Sequence, residues 1–301
     1  MSAETVTATP SAADGGQVYG EIHRWLSIRD FFRNGQARVG LAIVLLMVLF
    51  CFLGPVFYHT DQVHVSLPLK DLAPSHQHLL GTDDYGFDMI GRLMRGGQAS
   101  LGLGLTVAAI TTVVGTVYGA VAGLVGGVVD GFMMRVIDTL LAIPGIVFLI
   151  IMVSIFTPSL ISIILVLSLL SWLGIARLVR GEVLSLRTRD YVLAAKTMGG
   201  GNNRLMWRHM VPNALGVIIV NATFSIADAI TALSTLSFLG LGMAAPYADW
   251  GTLLTNGLND LYDGYWWLVY PPAFLLILAI IGFSLIGDAV RDSLDVRLRR
   301  R

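Results

Sequence analysis

Residues Arg189–Pro212, RDYVLAAKTMGGGNNRLMWRHMVP, decide how the rest of the chain is read. They are a polar island in a chain that is 55% hydrophobic and 13% charged, with a mean hydropathy of +0.72. Asp190 is placed to cap a short helix through Leu193, Ala194, Ala195 and Met198. Gly199, Gly200 and Gly201 stop it, since glycine takes the left-handed conformation a helix end needs. Asn202 or Asn203 caps a second helix, which runs through Trp207 and ends ahead of Pro212. Two short helices on a glycine joint, with Ala194 and Ala195 exposed, make a compact knob that suits a groove on another protein.

Outside the island the composition is that of an all-α polytopic membrane protein. A membrane helix needs roughly 20 apolar residues. Six segments qualify, at 39–58, 100–124, 139–157, 160–177, 213–239 and 266–287, the third and fourth separated by a turn at Thr157-Pro158-Ser159. Basic residues gather on the cytoplasmic side of a membrane. With the amino terminus inside, only Lys70, Arg92 and Arg95 of the 20 Lys and Arg residues fall outside. Both termini and the 178–212 loop are therefore expected in the cytoplasm. The expected organisation is a disordered tail (1–22), an amphipathic surface segment (23–38) with Trp25, Leu26, Ile28, Phe31 and Phe32 among arginines, and a first span (39–58). An extracytoplasmic loop (59–99), a core of five spans (100–290) and a basic tail (291–301) follow.

Several function classes lack their residues. No GxxxxGK[ST] loop is present, so ATP hydrolysis is not expected of this chain. No HExxH and no cysteine–histidine cluster calls for a metal, and no serine has a recognisable base beside it. The single cysteine, Cys51, lies in an apolar run, where a buried thiol is expected. A formal net charge of zero gives no nucleic-acid footprint.

Individual residues carry sharper expectations. Asp228 lies deep in the fifth span, where a carboxylate is costly and faces a cavity or a partner. It either lines a path and attracts the amino end of a peptide, or bonds to Ser225, Thr231 or another subunit. Residues 87–97 read as a short interfacial helix with Met89, Ile90, Leu93 and Met94 buried and the arginines snorkelling. Gly115, Gly119, Gly123 and Gly127 let a helix approach closely, from this chain or from a partner. Asp130 and Arg135 pair with each other or with lipid headgroups. Trp250, Tyr262, Tyr265, Trp266 and Trp267 read as an interfacial aromatic belt, and Asp249, Asp260 and Asp263 as an acidic surface beside it.

The island also resembles the EAA loop of bacterial ABC importer permeases. Ala194, Ala195, Gly199 and Pro212 fall in register; Leu193 replaces the signature glutamate and His209 the first aliphatic. His78, Leu80, Gly81, Thr82, Asp83, Gly86, Asp88, Arg92, Gly96, Ser100 and Leu101 resemble the signature before the second span of the C-type permease of dipeptide and oligopeptide importers, with Phe87 where that group usually has arginine. Gly127, Asp130, Arg135, Asp138 and Pro144, then Ser171 to Leu184, then Phe238 to Gly251, and finally Gly287, Asp288, Arg291, Asp292 and Asp295 continue the resemblance to about residue 298.

The resemblance implies a permease subunit in a bacterial cytoplasmic membrane, importing peptides. Its implied partners are a second homologous permease, two ATP-binding subunits that hold ATP and Mg, and an extracytoplasmic binding protein. No cofactor is implied on this chain. Tyr191, Ala194, Ala195, Gly199, Arg208 and Pro212 are the residues expected at the ATPase contact. Asp83, Asp88, Arg92 and Trp250 are expected at an outer rim that meets the binding protein, or in a structural re-entry into the membrane. Related permeases carry nickel chelates, glutathione or haem. A self-contained secondary transporter is the alternative from another class; it usually shows internal repeats.

Overall fold

The computed structural model describes residues 28–156, 159–243 and 246–299, with no strand among them. The expected tail 1–22, residues 23–27 of the amphipathic segment, Thr157-Pro158 of the predicted turn and the last two arginines lie outside the described residues. In chain order the helices are α1 (Ile28–Arg33), α2 (Gly35–Phe57), α3 (Met89–Val125), α4 (Gly127–Leu141), α5 (Gly145–Ile155), α6 (Leu160–Arg187), α7 (Asp190–Thr197), α8 (Asn202–Leu241), α9 (Trp250–Asp260) and α10 (Tyr270–Arg299). The Asn34 side chain accepts from Gln36 N at 2.9 Å and caps α2, so the end of the expected surface segment already belongs to the first span.

Five helices are long and apolar enough to cross a membrane: α2, α3, α6, α8 and the stretch Trp266–Ser293 that contains most of α10. The predicted third span, 139–157, is not a single helix. α4 and α5 meet at a break over residues 142–144 and are bent by 78°, so a sixth span exists only as this bent pair. Pro144 causes the break, because its ring excludes the preceding residue from helical geometry. α5 has 11 residues, and about 16 Å of helix is half the hydrocarbon thickness.

The predicted interfacial helix at 87–97 is also absorbed into a longer element. The Asp88 carboxylate accepts from Ile90 N and Gly91 N at 3.0 and 3.2 Å, and α3 then runs 37 residues without interruption. At about 55 Å, α3 exceeds the hydrocarbon of roughly 30 Å, so its ends project beyond it.

α3 packs along α6, and the glycine stripe explains how. A Cβ on Gly119 would lie 2.3 Å from Ala176 O, and one on Gly123 2.9 Å from Val183 Cγ1. Gly115, Gly119 and Gly123 thus serve packing within the chain, whereas Gly127 lies past the end of α3, where nothing comes within 4 Å of an added Cβ. α10 packs on α2 and α8, and α9 folds back onto α3, α8 and α10. Trp250 of α9 is fully buried among Met47, Cys51, Leu93, Leu101 and Phe283.

Candidate functional site

The island 189–212 forms a knob rigidly joined to two long helices. α6 ends at Arg187, Thr188 and Arg189 turn the chain, and Val192 N and Leu193 N bond to Arg189 O at 3.0 and 3.1 Å. Asp190 is the first residue of α7 and not its cap; the cap position is Arg189, without a side-chain bond. An acid there still suits the positive helix end. Gly199 has φ +84° and ends α7, while Gly200 N bonds to Ala195 O at 3.0 Å. A Cβ on Gly200 would lie 2.6 Å from that carbonyl oxygen. Asn202 and Asn203 open α8 without capping it, since the cap position belongs to Gly201.

The second knob helix does not end ahead of Pro212. It passes through a π-helical turn at Met206–Met210 and continues as one 40-residue helix to Leu241. The wide turn absorbs the clash the Pro212 ring would otherwise make with preceding carbonyls. Val192, Leu205, Met206 and Met210 are buried against Ile175, Val179 and Val183 of α6, and Tyr191 and Ala195 pack on the same cluster. Ala194, Gly199 and Arg208 are exposed, with Leu193, Met198 and Trp207 beside them, whereas Ala195 and Pro212 are half-buried. A groove of about 680 Å³ runs between the knob and the end of α3, lined by Val125, Arg187, Leu193 and Lys196 among others.

At the far end of the bundle the expected rim residues turn out to be interior. Arg92 is 2% exposed: its Nε donates to Asp83 Oδ2 at 2.9 Å, its Nη1 donates to Pro246 O at 2.6 Å, and it lies over the Phe87 ring. It does not snorkel. Asp83 also accepts from Tyr85 N and Phe87 N. Burial pushes its carboxyl up, against the pull of Arg92 and these amides. Asp88 accepts from the Tyr58 hydroxyl at 2.9 Å, and His78 Nδ1 lies 3.0 Å away. Burial and this bond push the Tyr58 phenol up to about 12. Trp250, expected at the rim, instead donates from Nε1 to Leu93 O at 3.0 Å in the core.

The expected aromatic belt is accordingly mixed, with Trp250 and Trp267 buried and Tyr262 and Trp266 exposed. Asp249 is no surface acid either. It is fully buried, caps α9, and accepts from Ser237 Oγ and Thr252 Oγ1 at 2.9 and 2.6 Å. The acid before a helix in DWGTLL was the available signal for this cap.

Asp228 is exposed on α8, and no bond from it to Ser225 or Thr231 forms. Those hydroxyls bond back to Asn221 O and Ala227 O of the same helix. At 100° per residue Asp228 shares a face with Asn221, Thr231 and Thr235, and all four are exposed or half-buried. A polar stripe in an apolar helix is thus turned away from the bundle core.

Asp130 and Arg135 do not pair. Asp130 instead receives Arg180 Nε and Nη2 at 2.5 and 2.7 Å, and Arg177 Nη2 reaches Asp138 Oδ1 at 2.7 Å. These links between α4 and α6 were missed because nothing in either segment alone indicates that they touch. Among the described residues no group of acids, histidines and cysteines is arranged to hold a metal.

Long apolar helices, a rigid polar knob at one end and a polar stripe on the helix rising from it define a multi-pass membrane transport component. The comparisons are specific. The chain belongs to the family of binding-protein-dependent transport system inner membrane components, whose model matches residues 115–300, and residues 24–74 match the N-terminal TM domain of oligopeptide transport permease C. It is a C-type member of the oligopeptide/dipeptide ABC permeases. It is 37% identical over 296 residues to the oligopeptide transport system permease protein OppC of Bacillus subtilis (strain 168), covering 97% of both chains. It is 40% identical over 272 residues to the dipeptide transport system permease protein DppC of the same organism, covering 90% of this chain and 85% of that one. OppC of Escherichia coli (strain K12) is 37% identical over 273 residues, 90% of each chain.

Proposed function

We propose that this chain is one transmembrane subunit of an ATP-driven importer of oligopeptides or dipeptides in a bacterial cytoplasmic membrane, with both termini and the knob in the cytoplasm. A second homologous permease completes the path, two ATPase subunits carrying ATP and Mg dock on the knob, and an extracytoplasmic binding protein delivers the peptide. The chain itself carries no cofactor and hydrolyses nothing. The observation that carries this reading is the continuity of the knob with α6 and α8. A knob on a flexible loop would absorb a push, whereas this one hands it to two long helices.

In this mechanism Leu193, Ala194, Met198, Trp207 and Arg208 form the contact face, and the small Ala194 lets the partner surface come close. Gly199 and Gly200 hold α7 against α8 so that the face keeps its shape. ATP-driven closure of the ATPases displaces the knob, α6 and α8 tilt with it, and Asp228 on α8 changes its access from one side to the other. A carboxylate on that stripe attracts the amino end of a peptide.

The test is ATP hydrolysis and peptide uptake by the complex reconstituted in lipid, wild type against Ala194→Arg. Ala194 is exposed, so the added charge blocks docking without disturbing the knob's packing. The expected result is hydrolysis stimulated by binding protein and peptide in wild type, and loss of ATPase association in the variant. Uptake by the chain alone, driven by an ion gradient with no ATPase bound, would overturn the reading.

A further inference from the structure

The knob's stroke has a second receiver. α4 lies against α6 through Ile137, which is fully buried with Leu173 and Ala176. An ion pair flanks this contact on each side: Arg180 grips both Asp130 carboxylate oxygens, and Arg177 holds Asp138. On the α3 side, Tyr118 donates to Met133 O at 2.9 Å and its ring packs edge-on against Trp172. Arg180 is nine residues from Arg189, about two and a half helical turns below the knob. Beyond α4 the chain breaks at 142–144 and bends by 78° into α5.

We infer that Arg177 and Arg180 are positioning residues that lock α4 to α6, so that displacement of the knob carries α4 along and the chain flexes at 142–144. This rests on the proposed docking of ATPases on the knob. The two-toothed arrangement fits the role: α4 meets α6 at positions eight residues apart, Asp130 and Asp138, so it cannot roll about a single contact. The bidentate Arg180–Asp130 pair fixes orientation as well as distance. Ion pairs, half-buried at Arg180–Asp130 and exposed at Arg177–Asp138, also suit a joint that must set the orientation of α4 and reassemble if it slips, which a purely apolar contact does not do. The third span would thereby be moved from the knob end although it makes no part of the knob.

The experiment uses the whole reconstituted complex and reads peptide taken up per ATP hydrolysed, with co-purification of the ATPase subunits as the control for assembly. The variants are Asp130→Asn, Asp130→Arg, Arg180→Asp and the double swap Asp130→Arg/Arg180→Asp. The expected result is an intact complex that still hydrolyses ATP, with uptake per ATP down about tenfold in the single reversals, within the usual range of coupling between sites. The swap returns it most of the way. Asp130→Asn, which removes the pair without repulsion, falls between. Single variants with wild-type stoichiometry would overturn the inference. So would uptake and hydrolysis falling in step without rescue by the swap, since a merely structural pair behaves that way. A wild-type complex whose hydrolysis ignores the binding protein would instead bring down the proposed function itself.

Discussion

Replacing Gly119 with alanine should separate α3 from α6. The added Cβ would sit 2.3 Å from Ala176 O, about 1 Å inside the ordinary contact limit, and 3.0 Å from Arg180 N. Both neighbours are helix backbone, so no rotamer change relieves the clash and α6 itself must move. Overpacking of this kind costs about 1–3 kcal/mol, and a backbone obstacle belongs at the upper end, about 3 kcal/mol. Gly102 is the internal control, because nothing lies within 4 Å of its added Cβ. There, alanine should be neutral or stabilise by up to about 1 kcal/mol through helix propensity. The assay is reversible unfolding of the lipid- or detergent-embedded chain, wild type against the two variants. Equal stability of Gly119→Ala and Gly102→Ala would refute the claim that the glycine stripe is the α3–α6 seam. A destabilised but assembled Gly119→Ala complex should also couple poorly, because the displaced helix is the one that carries the knob.

Three further outcomes follow from the far end and the polar stripe. Arg92→Met strands Asp83 in the interior and should cost about 3–5 kcal/mol, with Asp83→Asn in the same chain recovering part of it; unchanged unfolding would refute the clamp. Asp84, among Asp83, Asp71 and Asp260 with Arg92 as the facing cation, is pushed up to about 6 by burial first and by these like charges. The folded state therefore binds the extra proton between the ordinary carboxylate range and pH 6, so stability falls as pH rises through that window. Because Asp84 is half-exposed the effect is discounted to about 1 kcal/mol, and Asp84→Asn should flatten the slope between pH 4.5 and 7.5 in about the same measure. Asp228→Asn should lower peptide uptake about tenfold with assembly intact, and uptake equal to wild type would remove Asp228 from the path.

How much of this was legible in the sequence depended on whether a residue's partner is local. The knob, its glycine joint and five of the six expected spans are local features, and their existence was readable from periodicity and composition. Boundaries were less so. Nothing in Met206–Met210 announces a π turn, and without it Pro212 reads as a stop. Long-range pairings were invisible. Arg92 looked like a snorkelling interfacial arginine because its acid and its carbonyl lie on separate loops, Asp83 and Pro246. Trp250 looked like a belt residue until α9 was seen folding back to bring its indole to Leu93 O. Asp130 was expected to meet the neighbouring Arg135 or lipid headgroups, although its partner is Arg180, 50 residues away.

The two ends of the bundle are built to yield differently. At the far end Asp83, Asp88, Arg92 and Asp249 are all at most 5% exposed, and each makes several hydrogen bonds. Breaking such a buried pair costs about 3–5 kcal/mol. At the knob end the side chains of Arg180 and Asp130 are 29% and 12% exposed, and those of Arg177 and Asp138 51% and 54%. The exposed Arg177–Asp138 pair contributes about 0–1 kcal/mol and rearranges at little cost, whereas the more buried, bidentate Arg180–Asp130 pair keeps α4 on α6. On the proposed docking, a push at the knob would pass through α6 to α4 and find compliance at the 142–144 break, while the far end moves as a block. Access at that end would then change by rigid tilting of α8 together with the cemented loops, and not by the loops coming apart. A cross-link between the 81–88 segment and α9 should leave uptake intact, whereas one that bridges 142–144 should stop it.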